Sequence, residues 1–189
     1  METENPNTEG QYKILALVTY PDDRLLVECD PVPDSEYGTD TLLELEEAMR
    51  DTMFVHEGVA LAACQVGVNR RIAVVRTKEG RLITLCNPFV LPVGTSTTKI
   101  QESSLSLPEA VTGHVERAEK ISVAWKDVKG NSFTEDFVGL DSITIQHVVD
   151  HLDGVLIIDR FTDFQKRRVI EKLKKANSKE TVSIIETLS

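Results

Sequence analysis

The stretch IQHVVDHLDG, Ile145 to Gly154, sets His147 and His151 four residues apart inside an apolar run. On a helix of about 3.6 residues per turn that spacing stacks two imidazoles on one face, where they can share a metal ion. In zinc hydrolases of the HExxH type the residue after the first histidine is a glutamate that takes the proton from metal-bound water. Here that residue is Val148. The segment therefore has the face of a metal site without its base, and it predicts a helix over about Leu140 to Leu152, stopped by Asp153 and Gly154.

Upstream, Leu42, Leu45, Met49 and Met53 recur at intervals of three and four among acidic residues, which predicts an amphipathic helix between Thr39 and His56 with Asp40 as its cap. Two β-branched segments, Ile72 to Arg76 and Leu82 to Cys86, flank the turn KEG. Ile121 to Trp125 and Ser132 to Val138 flank DVKGN, with Gly130 and Asn131 expected in left-handed conformations. These are two hairpins. A last helix is expected from Asp163 to about Lys175, with Lys166, Arg167, Arg168, Lys172, Lys174 and Lys175 as a solvated basic face. Strands come in antiparallel pairs and helices do not alternate with them, so the fold class is α+β.

The chain has 189 residues, enough for one domain with a sizeable core. We expect a flexible segment at 1–13, a domain over 14–176 and a tail at 177–189, whose Val182, Ile184 and Ile185 can dock on the body. Twenty-one basic against thirty-one acidic residues give 21 − 31 = −10. That balance repels nucleic acid and anionic lipid, so neither is expected as a partner. Cys29, Cys64 and Cys86 are odd in number and lack CxxC spacing, which fits a reducing compartment. The opening METENPNTEG resembles neither a secretory signal nor a presequence, and the expected location is the cytoplasm.

Three stretches together carry a family resemblance. HEGVALAACQVG (His56 to Gly67), ESSLSLPE (Glu102 to Glu109) and QHVVDHLDG (Gln146 to Gly154) resemble, in order and spacing, the peptide deformylase motifs GxGLAAxQxG, EGCLSxP and QHExDHLxG. YPDDRL (Tyr20 to Leu25) and VERAEKISV (Val115 to Val123) are similar to that family as well. The resemblance implies antiparallel sheets packed around a central helix carrying HxxxH. It implies too that the chain descends from enzymes that remove the formyl group from N-terminal formylmethionine. Those enzymes use a divalent ion held by two histidines and the cysteine of EGCLS.

Carried over by position, the metal ligands are His147 and His151, the residue beside the metal water is Gln65, and the backbone donor to the oxyanion is Leu105. The methionine pocket falls on Val59, Ile100, Leu140 and Ile143, all apolar. Glu102 and Arg117 are implied to form a supporting ion pair, and Asp150 has a supporting place too. The ligand cysteine, however, falls on Ser104 and the catalytic glutamate on Val148. Ala60 and Ser103 stand where the motifs have glycine and add atoms where backbone approaches closely.

A serine hydroxyl holds its proton far more tightly than a thiol, and valine neither accepts nor donates one, so formamide hydrolysis is expected to be weak or absent. The expected cofactor is none, or a divalent ion (iron, zinc or nickel) at low occupancy. The expected ligands are N-terminal methionyl peptides or another protein. Alternatives are an active metallohydrolase with an altered site and a purely structural role. Three residues offer a rescue: Asp150 as base, Cys64 as third ligand, and Ser104 as a nucleophile with a histidine base. His56 and His114 are expected at the surface and Trp125 in the core.

Overall fold

The computed structural model describes residues 13–108 and 111–176; the side chains at 170 and 173–176 fall outside the description. Helix α1 spans Asp40–Val55 and buries Leu42, Ala48, Met49, Thr52 and Met53 along one face. Its cap is Thr39, not Asp40: the Thr39 hydroxyl accepts from the Leu42 N–H at 3.4 Å, because extended backbone at Thr39 aims its side chain back over the first turn.

Strands β1 (Ala60–Ala62), β2 (Ile72–Arg76), β3 (Leu82–Pro92), β6 (Lys120–Lys126) and β7 (Ser132–Val138) form one antiparallel sheet in the order β1-β2-β3-β6-β7. Its register shifts between Cys86 and Phe89 in the β3–β6 ladder. In the β6–β7 turn Gly130 takes φ 87°, but Asn131 is not left-handed as the dipeptide suggested. The turn closes on Asp127 instead, whose Oδ1 accepts from the N–H groups of Lys129 and Asn131, both at 2.9 Å.

A second, two-stranded sheet joins β4 (Thr97–Glu102) to β5 (Gly113–Ala118). It escapes a reading of hydrophobic periodicity because β4 carries Thr97, Lys99 and Gln101 on its exposed side and only Ile100 as a large apolar residue.

Helix α2 (Gly139–Leu152) lies against the larger sheet. Its Ile145, Val148, Val149 and Leu152 pack in one cluster with Ala73, Val75, Leu85, Ile121, Val123 and Trp125, the last stacked on Phe133 at 5.4 Å. Each fully buried aliphatic of that kind is worth about 1.5–3 kcal/mol, and this packing, not helix propensity, fixes the orientation of α2. Helix α3 (Asp163–Ala176) anchors through Val169 to a separate cluster with Leu156, Ile157 and Phe161. Arg167, Arg168 and Lys172 are exposed and Lys166 half-buried; the side chains of Lys174 and Lys175, like the tail residues Val182, Ile184 and Ile185, lie outside the described residues. Among the described residues no helix is long and apolar enough to cross a membrane.

Helix α2 can end where it does because Gly154 takes φ 71° directly against Leu26, where an added Cβ would sit 2.8 Å from a backbone carbonyl carbon. Gly154→Ala is expected to lose at least about 2 kcal/mol, the sum of left-handed strain and overpacking, measurable by urea unfolding.

Candidate functional site

The three stretches converge on one cleft of about 450 Å³ between α2, β4 and the β1 region. Val59, Ile100, Leu140 and Ile143 line it, with Ala60, Ser103, Leu105 and Thr144. Val59 and Leu140 stand half-exposed at 50% and 54%, while Ile143 is buried, so apolar surface runs from mouth to floor. A larger depression of about 780 Å³ lies against another face of α2. It is bordered by the pairs Arg71–Asp153 and Arg160–Asp150 and holds neither histidine. The motif residues place the chemistry in the smaller cleft.

At its inner end Ser104 is the hub. Its Oγ lies 2.9 Å from His151 Nε2 and accepts from the Ser106 N–H at 3.3 Å and from Gln65 Nε2 at 3.4 Å. Two donors fill its two lone pairs, so its own proton goes to His151 Nε2 and the His151 ring carries its hydrogen on Nδ1. That Nδ1 is buried without a partner among the described residues. Gln65 is fixed by a helical turn, Ala63–Val66, which Gly67 closes at φ 78°. Its Oε1 accepts from Ala62 N–H at 2.9 Å, which turns Nε2 toward Ser104 and Ser106.

His147 stands beside His151 with ring centroids 5.1 Å apart, and its Nδ1 lies 2.7 Å from Glu102 Oε2. Glu102 in turn accepts both arms of Arg117, at 2.6 and 2.8 Å, and Arg117 donates a third bond to Asp150 at 2.8 Å. Arg160 then holds both oxygens of Asp150. Burial alone would push the Glu102 carboxyl up, but the bonds from Arg117 and His147 outweigh it and hold it down at about 2.

This geometry bears on each rescue. Asp150 is saturated by two guanidinium groups and is no free base. The Cys64 thiol donates to the His151 backbone carbonyl at 3.2 Å, and its pKa is pushed up, first by its hydrogen bond with Cys29 and then by burial, so it offers no thiolate. Ser104 does meet a histidine as a serine nucleophile must, yet no carboxylate orients the other nitrogen of that ring. Val148 is 1% exposed, within the core cluster and not along the cleft.

The divalent ion that the resemblance implies can be tested against these donors. The carboxylate behind His147 is the outer support that metal-ligating histidines commonly have. The third corner is a neutral hydroxyl already committed to His151, and no group of three His, Cys, Asp or Glu side chains suited to an ion occurs among the described residues. Two imidazoles and an alcohol do not make the closed ligand set of a tightly held catalytic ion. The donor set does not fit.

His151 makes a pH prediction. Burial, then the charges of His147 and Arg117, lower its pKa well below the usual histidine value. A depressed native pKa means that the unfolded chain binds the proton first. Stability is therefore full above about pH 6.5 and falls as the pH drops below it, by up to about 1.4 kcal/mol per pH unit for one such group. The chain should unfold at lower urea at pH 5 than at pH 7.5, and His151→Gln should shrink that difference.

Sequence reasoning missed Arg160, Ser106 and Cys29 as neighbours of the site. Ser106 sits inside a quoted motif, whereas Arg160 and Cys29 give no local signal, being brought in by a turn of helix (Ile157–Arg160) and by the Cys29 N–H bond to Leu152. His56 and His114 are exposed and Trp125 is buried.

Comparison with known proteins agrees with this arrangement. Residues 14–167 match the polypeptide deformylase family model. Similar solved structures include a peptide deformylase from Synechococcus elongatus in complex with actinonin, at 31% identity and TM-score 0.77, covering 88% of each chain. The peptide deformylase from Thermotoga maritima is 32% identical, with TM-score 0.74, covering 79% of this chain and 98% of that one. A class I type b enzyme from Acinetobacter baumannii, solved with Met-Ala-Ser bound, is 29% identical over 78% and 98% of the two chains, with TM-score 0.74. A match over most of the length, with the three motifs gathered at one cleft, places this chain in the polypeptide deformylase family.

Proposed function

We propose that this chain is a deformylase-family protein with little or no deformylase activity, whose cleft binds peptides by an N-terminal methionine. The observation that carries this reading is the Ser104–His151 hydrogen bond at 2.9 Å, which commits to a neutral alcohol the corner where the family has a cysteine ligand. With Val148 at the glutamate position the side chain that serves the family as acid and base is missing, and general acid and base work alone is typically worth about 10²- to 10⁴-fold. The binding half of the proposal is supported by the apolar run of Val59, Ile100, Leu140 and Ile143 and by a relative crystallised with Met-Ala-Ser.

The test is turnover of formyl-Met-Ala-Ser beside metal analysis of protein purified without a chelating tag. The expected result is under about one hundredth of a typical enzyme kcat, which is near 10 s⁻¹, and substoichiometric metal. Ordinary turnover with one ion per chain would sink the proposal and favour the altered metallohydrolase.

A further inference from the structure

Two of the three cysteines meet behind the site. Cys29 and Cys64 are both free thiols of one core cluster and share a hydrogen bond, whereas Cys86 belongs to a separate cluster with Met49 and Met53. Neither Cys29 nor Cys64 is among the residues lining the cleft. Both are fixed on successive carbonyls at the end of α2: the Cys64 thiol donates to the His151 oxygen at 3.2 Å, and the Cys29 N–H donates to the Leu152 oxygen at 2.8 Å. The chain beside Cys29 is held from its other side. There the Arg71 N–H donates to the Asp30 carbonyl at 2.6 Å, and the Asp30 N–H donates to Asn69 Oδ1 at 3.2 Å.

A single buried cysteine is an inert apolar filler. Two thiols in mutual contact on anchored backbone are the arrangement from which a disulfide closes. We propose that Cys29 and Cys64 form a redox site, which hydrogen peroxide closes to a disulfide and a dithiol reductant reopens. In the first step the Cys29 sulfur attacks a peroxide oxygen: an S–O bond forms, the O–O bond breaks, and the departing hydroxide takes the Cys29 proton as water. The Cys64 sulfur then attacks that sulfenic sulfur, so that the S–S bond forms, the S–O bond breaks, and a second water leaves with the Cys64 proton. Two electrons pass from the thiols to the peroxide. The direction of attack follows from the surroundings of Cys29, whose pKa is lowered: its bond with Cys64 comes first, burial opposes it, and the charge of Arg71 adds to it.

Closure exchanges one tie for another. Cys64 gives up its bond to the His151 oxygen, which keeps the Gly154 N–H at 3.2 Å, and the turn Ala63–Val66 that fixes Gln65 becomes joined covalently to the segment at Cys29. The site sits at 2% and 3% exposure, so it admits an oxidant little larger than water and shelters the sulfenic intermediate from further oxidation.

The experiment treats the reduced full chain with hydrogen peroxide in chelator-treated buffer, alkylates the remaining thiols under denaturing conditions and maps the peptides by mass. The chain is expected to lose two hydrogens and to join the peptides carrying Cys29 and Cys64, with Cys86 alkylated, and dithiothreitol should restore the starting mass. Cys29→Ser and Cys64→Ser should each abolish the bridge, and Cys86→Ser should leave it. Because a cross-link restricts the unfolded chain, the urea midpoint of the oxidised protein should rise. A bridge to Cys86, oxidation that ends in sulfinic acid, thiols all still free after peroxide, or a lowered midpoint would each overturn the inference. Mapping of the natural chain decides the matter even if no variant folds, and none of these outcomes bears on peptide binding in the cleft.

Discussion

Ser104→Cys combined with Val148→Glu is expected to raise hydrolysis of formyl-Met-Ala-Ser by at least about 10²-fold over the natural chain when iron, nickel or zinc is supplied. The figure is the lower end of what general acid and base catalysis contributes. It assumes that a thiolate at 104 completes a ligand set whose two imidazoles already stand 5.1 Å apart, ring to ring, and that a carboxylate introduced at 148, a position packed in the core cluster, turns toward it. Groups acting as a unit are strongly non-additive. Each single substitution is therefore expected to give little: a thiolate without a base, or a base without an ion. Single-turnover assays on metal-loaded protein read the effect. A folded, metal-loaded double variant that stays silent would place the remaining block at Ala60 and Ser103, which line the cleft where the motifs have glycine.

Arg117→Leu should be the most destabilising single change at the site, by about 3–5 kcal/mol. Arg117 is 4% exposed, and its guanidinium donates three bonds, two to Glu102 and one to Asp150. Removing it leaves Glu102 buried with His147 alone, and Asp150 with Arg160 alone. The cost is that of leaving a buried carboxylate without its partner, not the net worth of the ion pair. Glu102→Gln with Arg117→Leu should accordingly lose less than the sum of the two singles, and a double-mutant cycle by urea denaturation measures the difference. A loss under about 1 kcal/mol for Arg117→Leu would mean that water, not the protein, solvates these charges.

Much of this was open to reading from the residues. The 3.6-residue recurrence of Leu42, Leu45, Met49 and Met53 and the paired β-branched runs mark α1 and two hairpins, because burial of one face imposes those periods. The β4–β5 ribbon was hidden, since its polar side chains leave no alternation to detect. At the site, residue types could be aligned to motifs, and the structure gathers His147, His151, Ser104, Gln65 and Glu102 around one end of the cleft. The direction of each hydrogen bond could not be aligned. That Ser104 donates to His151 and that Cys64 turns to a carbonyl depend on contacts across dozens of residues, and Arg160 closes the far side of Asp150 only through the turn that follows the helix.

The burial of Val148 among Ala62, Cys64, Ile145 and Leu152 also constrains how such a protein can change over generations. A lone Val148→Glu substitution would put an uncompensated carboxyl into hydrocarbon, at roughly 2–7 kcal/mol for a polar group without a partner, before any ion could reward it. On the proposed reading, cysteine at 104 would have to come first for hydrolysis to appear, and that step by itself is expected to confer no catalysis for selection to see. A gain of hydrolysis would thus take an ordered pair of substitutions whose first member is silent, a one-way valve built from side-chain packing.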